Sequence, residues 1–134
     1  IEGGDCGGSR MSVEKVKDFL RIMEVRDLDH ARTFLASDFS MTFPGGVIMT
    51  SLEELVEWSK GRYRKMKKTF EDFDVFEDGS ETIIYSYGML NGEALDGSPI
   101  NEVRYIDRFV LRDGLIVDQM VWNDLAEVLR TDYD

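Results

Sequence analysis

The sequence predicts an α+β domain in which helices come first and a curved antiparallel sheet folds over them. Three observations lead there: apolar residues at helical spacing up to about Met66, period-two runs of branched and aromatic residues after it, and Gly-containing turn pairs between those runs. A regular strand-helix alternation, which would wind a parallel sheet, is missing.

Ile1 to Arg10 holds four of the twelve glycines and shows no apolar period. Residues 1–11 therefore read as a flexible leader or cloning remnant, with Met11 as a natural start and 12–134 as the single domain. From Ser12, Val13, Val16, Phe19, Leu20 and Met23 recur at three-and-four spacing, giving a helix to about Arg26 with Ser12 as its N-cap. Asp27 or Asp29 can cap a second helix facing inward through Ala31, Phe34 and Leu35. Phe39, Met41 and Phe43 alternate with Ser40 and Thr42 as a short strand, broken by Pro44-Gly45-Gly46. Ser51 and Glu54 form a capping box for a third helix running to about Met66. Strands follow near 70–76, 82–90, 103–112 and 115–122, separated by Asp78-Gly79, Asn91-Gly92 with Asp96-Gly97, and Asp113-Gly114. Asn123 onward closes as a short helix.

A chain of 134 residues supports one core, and its 43% hydrophobic content excludes intrinsic disorder. No apolar stretch is long enough to span a bilayer. The net charge of −11 repels phosphate backbones and anionic lipid, so neither nucleic acid nor membrane is an expected partner. The single cysteine, Cys6, forms no internal disulfide, and no export leader is visible; a reducing cytoplasm is the expected location.

The candidate site comes from the last hairpin. On the strand 103–112 one face reads Val103, Tyr105, Asp107, Phe109 and Leu111, so Asp107 is the single charge on an apolar face. A two-residue turn at Asp113-Gly114 would set Asp107 against Met120 and Asp118 against Phe109. A three-residue loop, Arg112 to Gly114, instead pairs Leu111 with Leu115, Phe109 with Val117, Asp107 with Gln119 and Tyr105 with Val121, and is the expected register. A carboxylate facing hydrocarbon must be paired, protonated or wet. In a cavity Asp107 would donate a hydrogen bond when protonated or abstract a proton when ionised, with Gln119 orienting it or sharing the ligand oxygen. Equally, it would bond Gln119 or Tyr105, or pair with an arginine, in a buried polar knot.

Other signals read as structural. His30, the only histidine, falls on the exposed side of its helix, leaving no base for a serine or cysteine triad. No zinc cluster, calcium loop, phosphate-cradling loop or dinucleotide fingerprint occurs, so no metal or cofactor is expected. Lys60, Arg62, Arg64, Lys65, Lys67 and Lys68 read as a solvated face beside Glu71, Asp72 and Asp74. Trp58, Tyr63, Tyr85, Tyr87 and Trp122 could line a ligand pocket, but their spacings read first as core aromatics.

From about Val13 to Leu129 the chain resembles the nuclear transport factor 2-like (NTF2-like) superfamily, particularly its SnoaL-like and ketosteroid-isomerase-like members. The resemblance rests on Arg26-Asp27-Leu28-Asp29, Asp38-Phe39 leading to Phe43-Pro44-Gly45-Gly46, Ile106-Asp107-Arg108-Phe109, and Arg112-Asp113-Gly114-Leu115-Ile116-Val117. It implies a cone-shaped sheet around helices, a deep pocket in the cone, and homodimerisation through the sheet. Asp107 matches the isomerases' catalytic acid. Their oxyanion tyrosine and general-base aspartate fall at Phe19 and Phe43, the cyclases' histidine falls at Gln119, and the epoxide hydrolases' carboxylate falls near Val121. The implied function is a small-molecule pocket protein: a cofactor-independent isomerase, cyclase or dehydratase acting on an apolar carbonyl compound. Asp107 would be catalytic, Tyr105 and Gln119 would hold the substrate oxygen, and Met41, Phe43, Phe109 and Val121 would form apolar walls. The alternative is a non-catalytic ligand-binding or dimerisation module, with Ile106, Val110, Met120 and Trp122 at the dimer contact.

Overall fold

The computed structural model describes residues 2–129, with side chains from Arg10 onward; the part of the expected domain at 130–134, and the side chain of Cys6, lie outside this set. Helix α1 (Glu2–Glu24) buries the expected stripe of Val16, Phe19, Leu20 and Met23. It begins upstream of Ser12, which therefore lies within the helix and is not its N-cap. Arg26 adopts a left-handed conformation (φ 60°) just past the helix end. Asp27 then caps α2 (Leu28–Arg32), its side chain accepting from the His30 N–H.

Strand β1 (Leu35–Phe43) turns into a short β2 (Val47–Met49), a strand the sequence pattern did not reveal. Helix α3 (Leu52–Lys60) carries the complete capping box of Ser51 and Glu54, but it stops at Gly61 and does not reach Met66. Residues from Lys65 instead join β3 (Lys65–Asp78), pairing rung by rung with β4 (Glu81–Glu93). Ladder hydrogen bonds and an inward row of Met66, Lys68 and Phe70 outweigh helical propensity there. Strands β5 (Pro99–Arg112) and β6 (Leu115–Asn123) complete a six-stranded sheet of order β2-β1-β6-β5-β4-β3, and α4 (Leu125–Leu129) closes the described chain.

The sheet is curved, unclosed and mixed. All pairs are antiparallel except β1 with β6, which run parallel. This corrects the wholly antiparallel expectation: β1 and β6 lie far apart in sequence, and no hairpin fixes their relative direction.

The β5–β6 register also differs from expectation. Arg112 pairs with Leu115 around the two-residue Asp113-Gly114 turn, and Leu111 pairs with Ile116. A bulge then leaves Val117 without a partner, and Val110 pairs with Asp118, Phe109 with Gln119 and Asp107 with Val121. The turn rejected on patterning grounds is thus the one present, and the bulge restores the face alternation it would have inverted. Ile116, not Leu115, fills the core opposite Leu111.

Two glycines on β4 allow the sheet to bend. A Cβ on Gly88 would collide with the Thr69 carbonyl oxygen and the Glu71 amide, and one on Gly92 with the Lys65 carbonyl oxygen. Opposite Gly88, β3 carries a bulge at Glu71, between the Phe70–Gly88 and Asp72–Tyr87 pairs. Phe19, Met41, Ile84, Phe109, Leu111 and Ile116 pack in the main core, while Leu90, Ile100, Val103, Tyr105 and Leu125 form a second cluster against α4. Among the described residues no helix is long and apolar enough to cross a membrane.

Gly88→Ala is expected to cost about 2 kcal/mol or more, because rigid backbone atoms would have to move. Gly61→Ala, whose Cβ would meet only the Trp58 carbonyl oxygen at 3.8 Å, serves as control. Thermal unfolding of both variants checks this; a Gly88→Ala protein as stable as the control contradicts the close crossing.

Candidate functional site: a lysine held at the inner wall of the cone

The inward face of β4 reads Ile84, Ser86, Gly88 and Leu90, and the small pair at its middle leaves room against β5. Tyr105 uses that room: it is 2% exposed, and its hydroxyl lies 3.0 Å from Ser86 Oγ. Burial pushes the Tyr105 hydroxyl up to about 12, with Ser86 opposing the rise, so it is neutral at ordinary pH. Asp107, opposite Ser86, is 0% exposed.

Its partner is Lys68, which the sequence reading had placed on a solvated basic face. Lys68 Nζ lies 3.1 Å from Asp107 Oδ2 and 5.1 Å from the centre of the Tyr105 ring. The contact is an ion pair without good hydrogen-bond geometry, and neither Asp107 oxygen has a partner meeting that stricter standard. Burial drives the Asp107 carboxyl above its ordinary value, and the Lys68 charge pulls it partly back. The folded chain therefore holds the Asp107 proton more tightly than the unfolded one. This group's contribution favours folding at low pH and is lost as pH rises from 3.8 through the raised folded value.

The end of α1 fixes the Lys68 backbone from both sides. The Lys68 N–H donates to Glu24 Oε2 at 2.9 Å, and Arg21 Nη1 donates to the Lys68 carbonyl oxygen at 2.9 Å. Arg21 also pairs with Glu24 and lies over the Phe70 ring, 4.2 Å from its centre. Three charged side chains, Arg21, Glu24 and Asp107, thus determine where the Lys68 ammonium points.

That ammonium's side chain lines a cavity of about 80 Å³ between α1, α3 and the sheet. Phe19, Leu20, Met23 and Leu55 supply its apolar wall, and Glu24, Arg26, Tyr63 and Gln119 its polar groups. Of the predicted site residues, Phe43 and Gln119 line the cavity, while Asp107, Tyr105, Met41, Phe109 and Val121 are buried outside its wall. Gln119 lies opposite Phe109 and Met41, not opposite Asp107. The deep pocket implied by the resemblance is largely filled: ligand pockets usually measure roughly 300–1,000 Å³, so only a few non-hydrogen atoms fit here.

Of the remaining cluster, Lys60, Arg64, Lys65 and Lys67 are exposed as expected, Lys60 pairing with Glu57 and Arg64 with Glu93, whereas Arg62 is half-buried, its guanidinium 4.5 Å from the centre of the Trp58 ring and its Nε buried without a hydrogen-bond partner. Lys68 was legible in principle, since Met66, Lys68 and Phe70 share one face once the strand begins at Lys65. A larger groove of about 660 Å³ runs over the outer face of the sheet past Tyr87, Met89, Ile106 and Trp122. Among the described residues no group of His, Cys, Asp and Glu side chains could hold a metal ion.

No family model and no curated protein matches this chain. Solved structures do. An NTF2-like protein of unknown function from Burkholderia pseudomallei is 18% identical, with 90% of this chain and 95% of that one covered at a TM-score of 0.70. A protein from Jannaschia sp. described as a SnoaL-like polyketide cyclase is also 18% identical, with 90% of each chain covered and a TM-score of 0.68. The CaMKII hub of S. rosetta is 22% identical, with 86% and 95% covered and a TM-score of 0.70. Helices followed by a curved mixed sheet, and likeness to these structures over most of their length, identify the fold: this chain has the NTF2-like fold shared by SnoaL-like and ketosteroid-isomerase-like proteins.

Proposed function

We propose that this chain is a small-molecule pocket protein acting on a compact carbonyl compound, with Lys68 as the group that meets the carbonyl oxygen. The observation that carries this reading is the position of Lys68 in the cavity wall with a fully buried counter-ion beside it. An ammonium fixed in low-dielectric surroundings stabilises charge that develops on an oxygen, without waiting for solvent to reorganise. Asp107 acts through Lys68 as a positioning residue, and the Gln119 amide offers a second donor from the same wall. Glu24, the carboxylate in the described wall, is the proton acceptor in this reading. A proton passes from the carbon beside the carbonyl to Glu24, and the electrons of that C–H bond move onto the oxygen facing Lys68. The resulting enolate is the intermediate an isomerase, cyclase or dehydratase needs, and no cofactor takes part. A ligand body larger than the cavity stays at its mouth, beside Arg26 and Tyr63.

A second reading rests on the opposite face of the sheet. Ile48, Ile106 and Trp122 are 68%, 46% and 49% exposed there. We infer a homodimer through this face, since large apolar side chains arrayed on one sheet surface gain most from covering one another. The likeness to a CaMKII hub supports an assembling role.

Acetone in heavy water is the probe for the first reading, with hydrogen exchange beside its carbonyl followed by NMR. The wild type is expected to accelerate exchange over buffer, and Lys68→Met and Glu24→Gln to lose at least about tenfold of that acceleration. Exchange no faster than in buffer, with no shift of Lys68 resonances on adding acetone, overturns the proposal. For the second reading, light scattering is expected to give twice the 15.4 kDa chain mass, reduced to one chain by Trp122→Glu. A wild type that is monomeric at about 100 µM removes it.

A further inference from the structure

The cavity carries a second cation that the carbonyl chemistry does not use. Arg26 lies at its open end, on the exposed rim, while Lys68 lies in its wall with a side chain only 19% exposed. Arg26 also occupies a left-handed backbone position, where glycine or asparagine is the economical choice and any other residue costs about 1 kcal/mol or more. Its guanidinium is oriented by two of its donors: Nη1 to the Met23 carbonyl oxygen at 2.7 Å and Nη2 to Ser59 Oγ at 3.2 Å. A guanidinium has five N–H donors, so others remain for a ligand. Of the carboxylates near these two cations, Glu24 is engaged by Arg21 and by the Lys68 N–H, and Asp107 by Lys68. The cavity of a chain with net charge −11 thus has an Arg at its mouth that no acidic side chain neutralises among the described ion pairs.

We propose that the ligand is a short oxo acid, with its carboxylate on Arg26 at the mouth and its carbonyl oxygen toward Lys68 inside. This inference rests on the carbonyl-pocket reading and specifies its substrate class. A planar guanidinium with parallel donors matches a carboxylate, whereas an ammonium is a point charge suited to a single oxygen. The division of labour between the two cations follows from that difference. The small cavity limits the hydrocarbon between the two groups to a few carbons, lying against Phe19, Leu20 and Met23.

The test compares acetoacetate with 2-pentanone, its uncharged near-isostere, by NMR titration of the full chain. Acetoacetate is expected to bind at least tenfold more tightly than 2-pentanone, and to lose that advantage between 20 mM and 500 mM salt. Arg26→Gln is expected to erase the difference, and Arg26→Lys to restore part of it. Should Arg26→Gln fail to fold, the wild-type comparison and its salt dependence decide the matter alone. Equal binding of the two compounds by the wild type overturns the carboxylate assignment and leaves the carbonyl pocket standing. Binding of neither overturns both.

Discussion

A carboxylate with no exposure to water, met by one lysine, sets the terms for the interior of this molecule. Burying an unpaired charge costs several kcal/mol, so Asp107 is tenable at neutral pH only if Lys68 stays beside it or the carboxyl keeps its proton. Lys68 in turn is reachable only because β3 continues back to Lys65, and because the Arg21–Glu24 pair at the end of α1 grips its peptide group on both sides. The helix, the first half of β3 and the middle of β5 are therefore coupled through one ammonium. Such a pair adds little net stability over an apolar core of the same shape, and its value lies in fixing where a charge points.

The bend of the sheet makes this geometry available. Where β3 crosses close to β4, glycine is the residue that fits at 88 and 92, and the bulge at Glu71 shifts the second half of β3 so that Phe73 and Val75 face inward as Met66, Lys68 and Phe70 do. Ser86 and Gly88 then leave the room in which Tyr105 and the lysine side chain meet. At the other end of the site the bulge at Val117 performs a similar correction, bringing Gln119 and Val121 inward after a turn that would otherwise have sent them out.

Much of the fold was legible because its signals are local. The α1 stripe, the Ser51–Glu54 capping box and the Gly-containing turns each depend on residues a few positions apart, and the second half of β3 and all of β4, β5 and β6 contain the runs where branched and aromatic residues alternate. The parallel β1–β6 pair was not legible, because no turn chemistry specifies contacts between distant segments. The β5–β6 register was misread because patterning constrains which face a residue takes but not how that parity is reached: a long loop and a short turn plus bulge give the same faces and different partners. For the site, Asp107 stood out as one charge on an apolar face, and it is buried. Its partner was missed because three neighbouring cations, Lys65, Lys67 and Lys68, look alike in composition, and only strand alternation separates the inward one from the outward two. The small size of the cavity was not legible either, since interior volume depends on how Phe19, Met41 and Phe109 pack together.

The Asp107–Lys68 pair is tested most directly by following the Asp107 side-chain carboxyl carbon by NMR as pH is varied, in the wild type and in Lys68→Met. The wild-type carboxyl is expected to titrate above the ordinary aspartate value of 3.8, and removal of the lysine charge to move it higher still. An Asp107 that titrates at or below 3.8, or one that is indifferent to Lys68→Met, would contradict the account.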